Sequence, residues 1–416
     1  MSEFGKIERH LASMISVFPG LKPRIKLFYQ KVNHLIYKKS FSYYLDKDVS
    51  MKPLLNNPTQ GNFWGYYDAS PILSGKFLTH SFDREIALQK RSSSYIDILV
   101  NNKNISRSKA WNWQQGARLF WMNKNTMLHN VYHNGHYRGK VVHIDNNTSE
   151  FIDAPIYAYH RDSRTALGLN FKRLTDLDPA YGYFAHDTSK QLILNDRSDG
   201  IFKIDIANNQ KNLIISIELL KEFHKKPHMK NAIHGVNHIQ ISPNAKRFMF
   251  LHRWYSKNGQ KSSRLLTADM DGSNLHILSD DGMVSHCNWK NNEEIIGWMY
   301  KKNMGNGYYL HKDQTGHFEQ IGSGILIEDG HPSFTACGNY MVTDTYPDRS
   351  RMSHLLLYRL SDKTLTTLGS FYTPLNYTNE NRCDLHPRFT EDQNITIDTV
   401  YDGFRQQVQL DISKLI

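Results

Sequence analysis

Four histidine-led segments align without a gap over their first nine residues: HIQISPNAK from His238, HCNWKNNEE from His286, HPSFTACGN from His331 and HPRFTEDQN from His386. Each has an apolar residue three positions after the histidine, then a polar turn and a second apolar run. The intervals of 48, 45 and 55 residues are close to the length of one four-stranded propeller blade. Weaker copies of the turn and second strand occur at 70–80, 123–134 and 162–171, which makes seven units. The 364 residues from 53 to 416 divide into seven units of 52. The segments 264–278 and 354–368 read as outer hairpins, with alternating strands flanking a polar turn. The pattern predicts an all-β chain, a seven-bladed β-propeller over 53–416 preceded by a short basic helical extension over 1–52. Six blades are the near alternative, because 172–237 is irregular.

The extension differs from the rest in charge. Of the net +11 of the 416-residue chain, +6 falls within residues 1–60, where ten Lys or Arg face four acids. Between Lys22 and Lys39 the apolar Ile25, Leu27, Phe28, Val32, Leu35 and Ile36 recur at helical spacing among basic residues. A helix packed on its own domain fits that pattern, and so does one lying on an anionic membrane surface through residues 22–39. No run reaches the length of a membrane span, and the first residues read as no secretion signal. Cys287, Cys337 and Cys383 make no closed disulfide framework, so a reducing, cytoplasmic setting fits, peripheral to the inner face of the membrane if the helix docks there. The excess charge favours an anionic partner. Nucleic acid is not expected, since no recognition motif accompanies the charge. The loops of nucleotide hydrolysis, dinucleotide binding and serine hydrolysis are absent.

In a propeller, equivalent points of the innermost strands fall on one ring around the axis. His238, His286, His331 and His386 are therefore expected to converge. Cys383, three residues before His386, adds a soft ligand, and the set suits a divalent metal, zinc before manganese. Histidines that only hydrogen-bond neighbouring backbone are the alternative. Cys287 should point away on its alternating strand, and Cys337 falls in a turn. A second cluster concentrates Trp, His, Tyr and Arg in WNWQQGARLFW (111–121), HNVYHNGHYRG (129–139), LNFKRLTDLDPAYGYF (169–184) and NDRSDGIFKID (195–205). Aromatic faces stack on sugar rings and Arg pairs with carboxylates, so an acidic polysaccharide or oligosaccharide is the expected ligand.

These blocks, with NHIQISPNAKRFMFLHRW, SHCNW, GHPSFTACGNYMVTDTYPD and RCDLHPRFTEDQNITIDT, resemble in their order the propeller polysaccharide lyases of the oligogalacturonate lyase and ulvan lyase type, over roughly residues 60–412. The resemblance implies a metal-containing propeller that cleaves uronate-containing glycans by β-elimination. On matching positions it implies Tyr181 as the proton-transfer residue, Arg197 as the carboxylate partner, His238 as the base and His136 as a binding or neutralising group. An adjacent guanidinium is expected to lower the pKa of Tyr181. For the metal the matches are His286, His331, Cys383 and His386. The missing export signal and the basic extension leave open a cytoplasmic or membrane-associated protein of surface polysaccharide biosynthesis that binds or transfers glycan on the same scaffold. A non-enzymatic docking propeller is a third class, disfavoured by the His, Tyr and Arg cluster.

Overall fold

The computed structural model describes residues 22–55, 57, 59–188 and 195–416. Seven antiparallel sheets follow one another along the chain as the blades of a propeller. Blade 1 is built from Gln60–Phe63, Lys76–Asp83, Ile96–Val100 and Lys103–Ser108, and blade 2 from Phe120–Asn123, Thr126–His133, His136–His143 and Thr148–Ile152. Blade 3 comprises Ala158–His160, Thr165–Gly168, Gly200–Asp205 and Gln210–Ser216; blade 4, Ile233–Ile241, Arg247–Tyr255, Lys261–Asp269 and His276–Ser279. Blade 5 comprises Val284–Trp289, Glu294–Lys301, Gly305–Lys312 and Phe318–Ile321. Blades 6 and 7 begin with the short strands Ser333–Phe334 and Arg388–Phe389. The two segments read as outer hairpins are the outer strand pairs of blades 4 and 6.

The circle is closed by the N-terminal part of the chain. Ser50–Pro53 pairs with Gln406–Asp411 as the outermost strand of blade 7, Ser50 opposite Asp411. Tyr43–Leu45 adds a fifth strand to blade 6, Tyr43 opposite Phe371. Residues ahead of Pro53 therefore belong to the sheet structure, and closure ties the two ends of the described chain together. Before them lies helix α1 (Lys22–Tyr37).

The irregularity of 172–237 is an insertion within blade 3. Helix α2 (Phe171–Leu177) and a short 3-10 turn, Pro179–Tyr181, fill the connection between its second and third strands. Asn170 begins α2 by accepting from the N–H groups of Lys172 and Arg173, the usual satisfaction of orphan donors at a helix start. Buried Arg173 is tied to Asp199 at 2.7 Å and Asp196 at 2.8 Å. Helix α3 (Ile217–Glu222), capped by Ser216, follows the last strand. Apolar side chains on both faces of each sheet pack between neighbouring blades, so the polar loops at the inner strand ends are left to form the central site.

Candidate functional site

The blade-start histidines do converge on the axis. The rings of His286 and His331 lie 4.0 Å apart between centroids, those of His331 and His386 4.2 Å, and those of His238 and His286 6.0 Å. His238 sits in a β-bulge between Asn237 and Gln240. Its φ of 54° and that of His386, 46°, are left-handed conformations that a non-glycine residue adopts only where its surroundings enforce them. At His386 the enforcement is visible, because its backbone N–H donates to Asp344 Oδ2 at 3.0 Å.

Two carboxylates orient the rings. Asp344, at the end of the second strand of blade 6, accepts the backbone N–H of His331 at 2.7 Å and its Nδ1–H at 2.8 Å. Asp329 accepts from His286 Nδ1 at 3.0 Å. Fixing Nδ1 as the donor leaves Nε2 with its lone pair, the arrangement of a metal-ligating histidine. Nε2 of His331 and of His386 is buried with no hydrogen-bond partner, and so are both ring nitrogens of His238. Ligand atoms of His331, His386 and Asp384 lie within 4.8 Å of one another. Orphaned imidazole nitrogens beside a buried carboxylate fit a divalent cation, with His286 beside them as a further imidazole.

Cys383 is not brought into this group. From Arg382 to His386 successive side chains fall alternately on the two sides of the chain. Arg382, Asp384 and His386 share the side of the site; Cys383 packs with Tyr377 and Val400, and Leu385 joins the core between blades. Burial pushes the Cys383 thiol up to about 12, so it stays protonated. The three-residue spacing made Cys383 a candidate ligand; the structure gives the side of the site to Arg382 and Asp384, four and two residues from His386. Cys287 is also buried, its carbonyl accepting from the Tyr67 hydroxyl at 3.0 Å, and Cys337 is exposed.

Tyr181 reaches the axis from the blade 3 insertion. Its ring is 5.0 Å from that of His238, and its hydroxyl accepts from Arg382 Nη2 at 3.4 Å. The guanidinium beside it therefore comes from Arg382. Arg197 is remote from it: its side chain is 82% exposed and pairs with Glu218 at 2.9 Å, beside α3. Nor does the guanidinium bring the phenol down. Burial raises the pKa of Tyr181 above the ordinary value and outweighs the lowering by Arg382. His136 lies exposed at the start of the third strand of blade 2, opposite His133, in a groove with Arg138 and Lys172 rather than among the central rings. His238 is driven well below the usual imidazole range by burial, then by the charge of Arg253, so it is neutral.

Sequence reasoning passed over three contributors. Tyr66 and Tyr67, from the loop after Gln60–Phe63, stand inside the ring of histidines: Tyr66 is 5.3 Å from both His238 and His386, Tyr67 5.2 Å from His331. Asp398 holds their loop by accepting the N–H groups of Trp64 at 2.9 Å and Gly65 at 2.7 Å. Second is the cation group: Arg253 ion-pairs with Asp178, which also takes Lys261 at 2.9 Å, while Arg382 pairs with Asp384 at 2.7 Å. Burial lowers Lys261 to about 8. Third is Tyr346, whose ring lies 6.4 Å from His286 and 6.2 Å from His331. The consecutive aromatics of WGYYD and the R-x-D-x-H alternation at 382–386 were the signals available.

No protein-family model matches the chain, and no curated protein sequence does. Among solved structures, an oligogalacturonate lyase in complex with manganese superposes over 90% of this chain and 96% of its own, with a TM-score of 0.62 and 13% identity. A puromycin-hydrolysing peptidase of Mycobacterium tuberculosis matches over 80% of this chain and 48% of its own, with a TM-score of 0.50 and 6% identity. At such identities the likeness is one of fold.

Proposed function

We propose that the central site binds a uronate-containing acidic glycan and cleaves it by β-elimination, with a divalent cation held by His286, His331, His386 and Asp384. The observation that carries this reading is the pairing of a neutral, unpartnered imidazole, His238, with a buried protonated phenol, Tyr181, beside the Arg382 guanidinium and the ligand-capable trio. With the Cys383 thiol outside the set, the donors are imidazole and carboxylate, which suit manganese as well as zinc. When bound, the cation supplies positive charge that offsets the uronate carboxylate and makes the neighbouring C–H more acidic.

His238 accepts the proton from the carbon beside the carboxylate. The C–H electron pair becomes the new carbon–carbon double bond as the bond to the glycosidic oxygen breaks, and Tyr181 donates its phenolic proton to that departing oxygen. The proton gained by His238 balances the one lost by Tyr181. Arg382 stands where a guanidinium both recognises the carboxylate and stabilises the phenolate left on Tyr181. The test is Tyr181→Phe against a panel of acidic glycans, read by the ultraviolet absorbance of the unsaturated product. Loss of product with fold and metal content unchanged is expected; full activity refutes the assignment. A second reading, a glycan-binding protein of polysaccharide biosynthesis on the same scaffold, is favoured by the exposed apolar face of α1, and a flat trace with metal bound would select it.

A further inference from the structure

We propose that α1 docks the propeller on an anionic lipid surface. Residues 22–39 contain six Lys or Arg and no Asp or Glu. On the helix, Ile25, Phe28, Val32, Leu35 and Ile36 follow the three- and four-residue spacing that gathers side chains on one face. All five are exposed, Phe28 by 70%, Leu35 by 80% and Ile36 by 67%.

The opposite face is the one that holds the helix to the propeller. Asn33 is buried, the His34 ring stacks on Tyr372 at 5.5 Å, the Tyr372 hydroxyl meets His34 Nε2 at 3.2 Å, and the Arg349 guanidinium lies over Tyr37 at 5.8 Å. With that face committed, the apolar face has no cover among the described residues. Lys31, Lys38 and Lys39 are exposed along it and beyond its end, and Phe41, Tyr43 and Tyr44 continue the exposed aromatic surface. A convex apolar face edged with lysine and followed by aromatic residues is what an acyl and headgroup boundary accommodates: the apolar side chains enter, the lysines reach anionic headgroups, and tyrosine hydroxyls stay wet. The absence of any acid across eighteen residues argues for a lipid partner of uniform negative sign rather than a protein surface of mixed charge.

Both anchors also lead to the site. Arg349 belongs to the loop that carries Tyr346 beside His286 and His331, and Tyr372 ends the strand that runs into the segment bearing Arg382, Asp384 and His386. The helix thus packs on the end of blade 6 from which the loop bearing Tyr346 reaches the central histidines.

Co-sedimentation of the full chain with vesicles decides the matter. Binding to phosphatidylcholine vesicles containing phosphatidylglycerol is expected, with little to phosphatidylcholine alone. The triple variants F28S/L35S/I36S and K31E/K38E/K39E should each reduce binding by roughly tenfold or more. Their melting temperature and metal content should be unchanged, since the altered side chains are exposed and outside the site. Absence of binding, equal binding to both vesicle types, wild-type binding by either variant, or a dimer that F28S/L35S/I36S converts to monomer with no vesicle binding would each overturn the proposal.

Discussion

Asp344→Asn isolates what the buried carboxylate of blade 6 does for the histidines. Asp344 is 1% exposed, and its two oxygens accept three donors: the His331 N–H, the His331 Nδ1–H and the His386 N–H, at 2.7, 2.8 and 3.0 Å. An asparagine of the same shape offers one acceptor oxygen and turns an NH2 group toward at least one of these donors. The lost hydrogen bond and the orphaned buried donor cost about 1–3 kcal/mol of stability. More specifically, the carboxylate overcomes the effect of burial and raises the pKa of His331; without it nothing fixes the proton on Nδ1 and the lone pair on Nε2. Removing such an outer partner of a ligating histidine weakens metal binding about 10–100-fold. Calorimetric titration with manganese and zinc at neutral pH should show that loss, while circular dichroism at the same temperature shows an intact propeller. Equal affinity in Asp344→Asn and the parent would refute the role given to Asp344, and equal affinity in His331→Ala would remove the ligand set itself.

Acid stability should depend on two buried histidines outside the metal-binding group. Burial lowers both His80 and His129 to about 3. Because the folded pKa is below the unfolded one, stability is complete above about pH 6.5 and is lost as pH falls toward 3; each ring costs about 2 kcal/mol at pH 5. Urea midpoints at pH 7 and pH 5 test this, and a midpoint independent of pH would contradict it. Cys383→Ser should destabilise the fold by about 1–3 kcal/mol, by placing a hydroxyl in an apolar cluster, yet leave metal affinity unaltered; a tenfold loss in affinity would return Cys383 to the ligand set.

The repeat register made the propeller and the ring of histidines legible, because equivalent positions in a closed radial fold must meet at the axis. Register does not say which neighbours on a loop share a face. Cys383 and Asp384 are adjacent in sequence, and only the alternation of side chains along 382–386 decides that the carboxylate, not the thiol, reaches the site. Nor does register reach across blades: the resemblance pointed to Arg197, whereas the fold sets Arg382, some two hundred residues from Tyr181, beside its hydroxyl. Tyr66 and Tyr67 were hidden for the same reason, since their loop is placed by Asp398, more than three hundred residues away.

Burial acts in opposite senses on the two groups proposed for proton transfer. It lowers the pKa of His238 and raises that of Tyr181, because in both cases the charged form is the one that loses hydration. Burial thus keeps a free lone pair on the imidazole and a proton on the phenol. A carboxylate entering beside Arg382, Arg253 and Lys261 changes that balance. In the proposed reaction its negative charge would favour a proton on His238, while Arg382 would oppose the rise that the same charge brings to the Tyr181 phenol. A neutral glycan of the same shape would bring no such charge to His238.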